Sequence, residues 1–179
     1  NKQIGNTDYY RIPAIAQAPN GWILAAWDLR PKSAADAPNP NSIVQRISKD
    51  GGKSWTPGQV IAQGKTGADK YGYSDPSYVV DRETGKIFAF FVNSLDQGFF
   101  GSATGVDPSN RNVTHAAVIE SSDNGLTWSA PKRITDQITD VAQFKSRFAA
   151  SGEGIQLRYG EHTGRLVQQF TFLTLSSAM

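Results

Sequence analysis

Two stretches, "SKDGGKSW" at residues 48–55 and "SSDNGLTW" at residues 121–128, decide how this chain folds. Both follow the pattern Ser-x-Asp-x-Gly-x-Ser/Thr-Trp. From average residue usage, a single chance match in a chain of this length is expected on the order of once in ten thousand. The pattern has a physical reading. Ser48 and Ser121 open it, and the carboxylates of Asp50 and Asp123 can accept hydrogen bonds from backbone N–H groups of their own turn. Gly52 and Gly125 permit a left-handed backbone, and Trp55 and Trp128 can plug against a neighbouring strand. Such a motif staples a fold and has no catalytic part.

Working outward, the turns recur in phase with three hairpins. "RIPAIAQAPNGWILAAWD" (residues 11–28) turns at Asn20 and Gly21, residue types that tolerate positive φ. "DPSYVVDRETGKIFAFFV" (75–92) turns around Asp81 to Gly85, and "EGIQLRYGEHTGRLVQQF" (153–170) around Gly160 to Gly164. No segment sustains a 3.6-residue apolar period, so helices should be few and short. Each unit reads as hairpin, loop, third strand, Asp-containing turn and fourth strand. The fold class is therefore all-β, a β-propeller of four-stranded antiparallel blades. Blade one is expected over about residues 9–66 and blade two over about 75–136, with blade three beginning near Glu153. The chain stops inside strand-like sequence and a third Asp turn would fall beyond residue 179, so the reading is two and a half to three blades of a larger propeller.

Composition narrows the function. With 39% hydrophobic and 19% charged residues this is an ordinary globular chain, and its 18 basic residues are scattered at a net charge of only +2. That argues against nucleic acid as a partner. No apolar run approaches the roughly 20 residues of a membrane-spanning helix. The absence of Cys removes disulfides, thiolate nucleophiles and Cys-based zinc sites together.

Strand polarity then sorts the charged residues. First strands descend from one end, the top, and the loops between second and third strands return there, while the Asp turns lie at the bottom. Arg11 opens the first strand of blade one, Asp75 sits just before that of blade two, and Glu153 just before that of blade three. Arg30 and Asp36 come from the first loop, with Val92, Phe99 and Phe100 around the corresponding loop of blade two. Two arginines, acidic groups and an apolar patch at one mouth suit a small ligand, although solvated loop charges are the plainer reading. His115 and His162 read as strand-edge and turn residues rather than ligands.

"YYRIP", both Asp turns, "DAPNPNSIVQR", "YSDPSYVVDRETGKIF" and "SRFAASGEGIQLRYG" together resemble the bacterial secreted sialidases, the actinobacterial type most closely. The likeness runs along almost the whole chain in the family's order. It implies a six-bladed propeller of which this chain is the first half or slightly less, acting outside the cell on sialylated glycans without metal or cofactor. By the resemblance, Arg11 is one of three arginines clamping the sialic acid carboxylate, a task suited to a permanently charged planar guanidinium. Asp36 matches the general acid/base, although no like charge lies near it in sequence and substrate would have to bury it. Arg30 and Asp75 match residues near the 4-hydroxyl and N-acetyl groups, and Val92 and Phe99 the wall receiving the acetamido methyl. Glu153 is expected to touch the glycerol tail or the aglycone.

Sialidases use Tyr as nucleophile. The resemblance implies that it lies in later blades with its Glu partner and the other two arginines. Tyr9, Tyr10, Tyr71, Tyr73, Tyr78 and Tyr159 do not occupy its motif. A trans-sialidase and a non-catalytic glycan- or protein-binding propeller remain alternatives.

Overall fold

The computed structural model describes residues 8–178 of the chain. Strand β1 (Tyr9–Gln17), β2 (Ile23–Arg30), β3 (Ser42–Ser48) and β4 (Gln59–Ala62) form one antiparallel sheet in that order. A second sheet repeats the arrangement with β5 (Gly72–Val80), β6 (Ile87–Ser94), β7 (His115–Ser121) and β8 (Lys132–Arg133). These are two blades of a β-propeller. Among the described residues helix is confined to one turn, α1 (Thr135–Ile138), and a 3₁₀ turn at Leu175–Ala178.

The third hairpin differs from the sequence expectation. Its outgoing side begins at β9 (Phe144–Ala149) and continues through β10 (Gly152–Glu153) and β11 (Ile155–Gln156). The return runs through β12 (Leu166–Val167) and β13 (Phe170–Thr174), pairing β12 with β11 and β13 with β9. Glu153 therefore lies inside the hairpin and does not precede it. There β10 runs parallel to β5, with Glu153 opposite Tyr78, which brings the first strands of neighbouring units side by side.

Alternation along the strands explains the packing. On β2, Leu24, Ala26, Asp28 and Arg30 are all buried, the even face turned to the second blade. On β6, Ile87, Ala89 and Phe91 meet Leu24, Ala26 and Ile43 in one core, and each large apolar side chain fully removed from water contributes about 2 kcal/mol. Phe90, on the other face of β6, meets Phe170 of the third hairpin at 6.2 Å between ring centroids. The buried hydroxyl of Tyr78 donates to Gln45 Oε1 at 2.8 Å, and Gln45 Nε2 donates to the Gly125 carbonyl at 2.9 Å. One β3 side chain thereby ties the second Asp turn to the first blade.

Both Asp turns are built as expected at their centre. Ser48 Oγ donates to Asp50 Oδ1 (2.9 Å) and accepts from Gly52 N–H (2.8 Å), while Asp50 Oδ1 accepts from Ser54 N–H (2.8 Å). Ser121, Asp123, Gly125 and Thr127 repeat this network, and both glycines have positive φ, 91° and 85°. The tryptophans part company. Trp128 packs on the shared core beside Tyr78, whereas Trp55 is 38% exposed and, among the described residues, lies outside that core. The second turn is also held by the first blade, through Asn20 N–H to Asn124 and Gln59 to the Leu126 carbonyl. Among the described residues the first turn has no cross-sheet hydrogen bond of that kind.

Candidate active site

The site grows from the end of β2. Asp28 and Arg30 continue the buried face begun by Leu24 and Ala26 and are 0% and 1% exposed. Asp28 Oδ2 accepts from Arg30 Nε (3.1 Å) and Nη2 (2.7 Å), and its Oδ1 accepts from the backbone N–H of Asp75 (2.9 Å). A single buried carboxylate thus aims a guanidinium and fixes the first strand of the next blade.

Beyond β2 the loop of residues 31–41 folds back over this pair. Arg30 Nη1 donates to Asp36 Oδ1 at 2.5 Å and to the Ala34 carbonyl at 3.0 Å. Arg11 Nη1 reaches the same two acceptors, each at 3.1 Å. The two arginines and Asp36 therefore converge on one oxygen atom. The Arg11–Asp36 pair is exposed, with side chains 39% and 76% accessible, so it is worth at most about 1 kcal/mol and an anionic ligand can displace it.

The loop's position is set by close backbone approach. A Cβ on Gly98 would stand 2.4 Å from the Ala37 carbonyl oxygen, and one on Gly72 would stand 2.3 Å from that of Asn39. Only glycine lets the Asp36 loop lie this close to the second blade. The first strands also share a device: Ile12 (φ 57°) and Asp75 (φ 63°), each followed by Pro, sit at the irregularity that interrupts strand pairing. Left-handed backbone is unfavourable for a β-branched residue such as Ile12, so neighbouring contacts must hold it. Asp75 lies within β5 at this bulge, not ahead of the strand as the sequence suggested.

A cavity of about 480 Å³ opens against this group, lined by Arg30, Asp36, Asp75, Val92, Phe99 and Phe148 among others. Its walls are mainly apolar, with charged groups from Arg30, Asp36, Asp75 and Arg147. Burial, aided by Asp36 and opposed by Arg30 and Arg11, pushes the Asp75 carboxyl up to about 6. Burial and the neighbouring Asp75 likewise push Asp28 upward, against the pull of Arg30.

Of the residues singled out from sequence, Arg30, Asp36, Asp75, Val92 and Phe99 share this cavity, and Phe100 stands at its mouth, 79% exposed. Arg11 reaches it through Asp36 and also lines another hollow with Tyr10 and Trp27. Glu153 is elsewhere. It lines a separate hollow with Arg82 and Arg158, because the outgoing side of the third hairpin begins at Phe144 and places Glu153 inside the hairpin. His115 is fully buried at the start of β7 with Nδ1 3.0 Å from Thr135 Oγ1, and burial lowers its pKa to about 4.

Sequence reasoning missed Asp28, Arg147 and Phe148. The signal for Asp28 was the period of two that puts it in line with Leu24, Ala26 and Arg30. Arg147 is fully buried, its guanidinium donating to the carbonyls of Gly105 (3.2 Å), Thr114 (2.9 Å) and Lys145 (3.1 Å). Phe148 stands edge-on to Phe99 at 4.9 Å and completes the apolar wall.

Repeated Asp turns on radially arranged four-stranded blades, with a guanidinium–carboxylate cluster at the opposite end, define a propeller of the BNR type. The chain belongs to that family: the profile described as a BNR repeat-like domain matches residues 23–171. Among curated proteins it is similar to a sialidase of Micromonospora viridifaciens, 56% identical over 94% of this chain and 26% of that protein. It is also similar to human Sialidase-4, 28% identical over 91% of this chain and 33% of that protein. Among solved structures, the Hadza microbial sialidase Hz136 superposes with a TM-score of 0.82 at 27% identity, covering 94% of this chain and 33% of that one. A leech intramolecular trans-sialidase shares the fold, with a TM-score of 0.81 at 15% identity over 96% of this chain and 41% of that one. The chain thus spans about a quarter to a third of the length of these two curated relatives.

Proposed function

We propose that these residues belong to the catalytic domain of an exo-α-sialidase, a glycoside hydrolase that releases terminal sialic acid from glycans with retention of configuration. The observation that carries this reading is the meeting of Arg11 and Arg30 on Asp36 Oδ1 at the mouth of a mainly apolar cavity. The curated relatives named sialidases support it.

The geometry suggests the order of events. A substrate carboxylate displaces Asp36 from the exposed guanidinium of Arg11, exchanging a weak surface pair for a charge-assisted bond in a site the sugar closes. Asp36, released on its loop, takes up a proton from solvent, gives it to the departing glycosidic oxygen, and as the resulting carboxylate later takes a proton from the attacking water. Arg30 cannot follow, because Asp28 holds its other edge. Arg30 and Asp75 contact the polar substituents of the ring, and Val92, Phe99 and Phe148 accept the acetamido methyl. The nucleophile and two further carboxylate-binding arginines come from residues beyond this chain, which acts extracellularly in this reading.

Asp36→Asn in the intact protein tests the acid role. Sialosides with poor alcohol leaving groups should lose about 10²–10⁴ in kcat, while an activated aryl sialoside, needing no proton, loses far less. Equal losses on both substrates would refute the assignment. Tight sialoside binding without hydrolysis by the wild type would instead mark a glycan-binding propeller, and transfer to a second sugar rather than water a trans-sialidase.

A further inference from the structure

A second cavity, of about 380 Å³, opens at the same end of the second blade but on the other face of β6. Val92 faces the candidate active site, and the adjacent Asn93 faces this cavity. Its lining is Tyr71, Tyr73, Asn93, Ala117, Pro131 and Arg133, drawn from β5, β6, β7, β8 and the connections on either side of the blade. Strand register brings them together: Tyr73 lies opposite Asn93, and Ala117 opposite Arg133.

The chemistry of the lining is unspent. Arg133 Nε donates to Asn93 Oδ1 (2.8 Å) and Nη1 to the Pro108 carbonyl (2.7 Å). Among the described residues, Nη2 has no hydrogen-bond partner and the guanidinium enters no salt bridge. Burial works against its charge, with Tyr73 the one opposing influence. A half-buried cation without a counter-charge is unfavourable, and an anion arriving from solvent relieves it. The hydroxyls of Tyr71 and Tyr73 likewise have no partner among the described residues. Their rings are held edge-on, 5.7 Å from each other, with Tyr73 fixed by Phe91 at 5.1 Å. Fixed aromatic walls with free hydroxyls, an amide and one open guanidinium edge suit a ring carrying both hydroxyls and a carboxylate. A bare inorganic anion would leave the walls unused. The volume falls within the roughly 300–1,000 Å³ of small-molecule sites, at its small end.

We propose that this cavity is an accessory site for a carboxylate-bearing sugar, which places its carboxylate on the open edge of Arg133 and its ring against Tyr71 and Tyr73. Such sugars are at hand only if the proposed function holds, and the inference rests on that reading to this extent. With two sites on opposite faces of one strand, a branched glycan can be held by one terminal sugar while another enters the candidate active site, raising its effective concentration there.

The test uses the intact protein with ¹³C-labelled tyrosine, assigned with Tyr71→Phe and Tyr73→Phe. Millimolar N-acetylneuraminic acid should shift the Tyr71 and Tyr73 signals, and N-acetylmannosamine, which lacks the carboxylate, should not. Arg133→Gln should weaken the effect at least about tenfold. Its kcat/KM on a monovalent fluorogenic sialoside should stay within about twofold of wild type. Should Arg133→Gln fail to fold, Arg133→Lys and Tyr71→Ala provide the same comparison. Unmoved tyrosine signals in the wild type would overturn the proposal, as would equal shifts from inorganic phosphate. Failure of the sialidase reading shows separately, as absent hydrolysis by the wild type.

Discussion

Asp28 and Asp36 are both carboxylates on Arg30, yet their environments make them opposites. Asp28 is sealed in the core between blades, so Asp28→Ala leaves a buried guanidinium with half its partners and frees the Asp75 backbone. The intact protein should lose about 3–5 kcal/mol in urea unfolding. Asp36→Ala removes an exposed carboxylate that water can replace on Arg30, so it should cost less stability than Asp28→Ala while removing activity. Asp75 adds a pH signature. Its folded-state pKa is raised to about 6 from an ordinary 3.8, so the folded protein holds the proton more tightly. That contribution is complete below pH 3.8 and is lost as pH rises through about 6. Asn tolerates the left-handed backbone at this position and leaves the N–H donor to Asp28 in place. Asp75→Asn should therefore flatten the fall in unfolding free energy between about pH 4 and 6, by up to about 1.4 kcal/mol per pH unit. Matching slopes for the two proteins would remove Asp75 as the titrating group.

Single elements show why some of this was legible in the sequence and some was not. The Asp turns were readable because their hydrogen bonds are local, closing within four residues. The start of the third hairpin, ahead of the expected Glu153, is not legible because β9, "FKSRFA", carries Lys145 and Arg147 and so lacks the apolar run that marks a strand, and Arg147 is nevertheless fully buried on carbonyl oxygens. Asp28 went unnoticed for the same reason, since a charge on the core face breaks the hydrophobic pattern that marks the face. What could not be read at all was the seating of the Asp36 loop, which depends on contacts between segments far apart in the chain. Gly98 probes it. A methyl group there must push the Ala37 carbonyl, one residue from Asp36, from a 2.4 Å approach. Gly98→Ala should reduce kcat/KM for sialosides by about tenfold to a hundredfold, since displacement of a reacting group by about 1 Å has that effect. An unchanged kcat/KM would mean that the loop does not need this seat.

At the scale of the whole molecule, strands apolar on both faces tell how many neighbours a blade has. On β6, Phe91 is covered by the first blade and Phe90 by the third hairpin, so both faces are used. On β2, the face bearing Leu24 and Ala26 is covered, but Trp27 and Leu29 look the other way. They open onto a hollow of about 510 Å³ shared with Tyr10, Val44 and Val60. There Trp27 Nε1 is buried without a partner among the described residues and Val60 is 45% exposed, and on the same face of the sheet Ile15, opposite Ala25, is 57% exposed. The Asp turn of the second blade packs on the first blade, so by repetition the turn carrying Trp55 calls for a sheet on this open side. The reading has a measurable consequence in the intact protein. If another sheet covers the face, Ile15→Lys and Val60→Lys bury an unpaired ammonium and should each lower unfolding free energy by at least about 2 kcal/mol. In the 179-residue polypeptide alone the same changes meet water, so they should be nearly neutral for stability and reduce self-association in sedimentation. Near-zero effects in both proteins would mean that nothing packs on the outer face of β1–β4, and the propeller would then have to close by a route other than repetition of the contact between its first two blades.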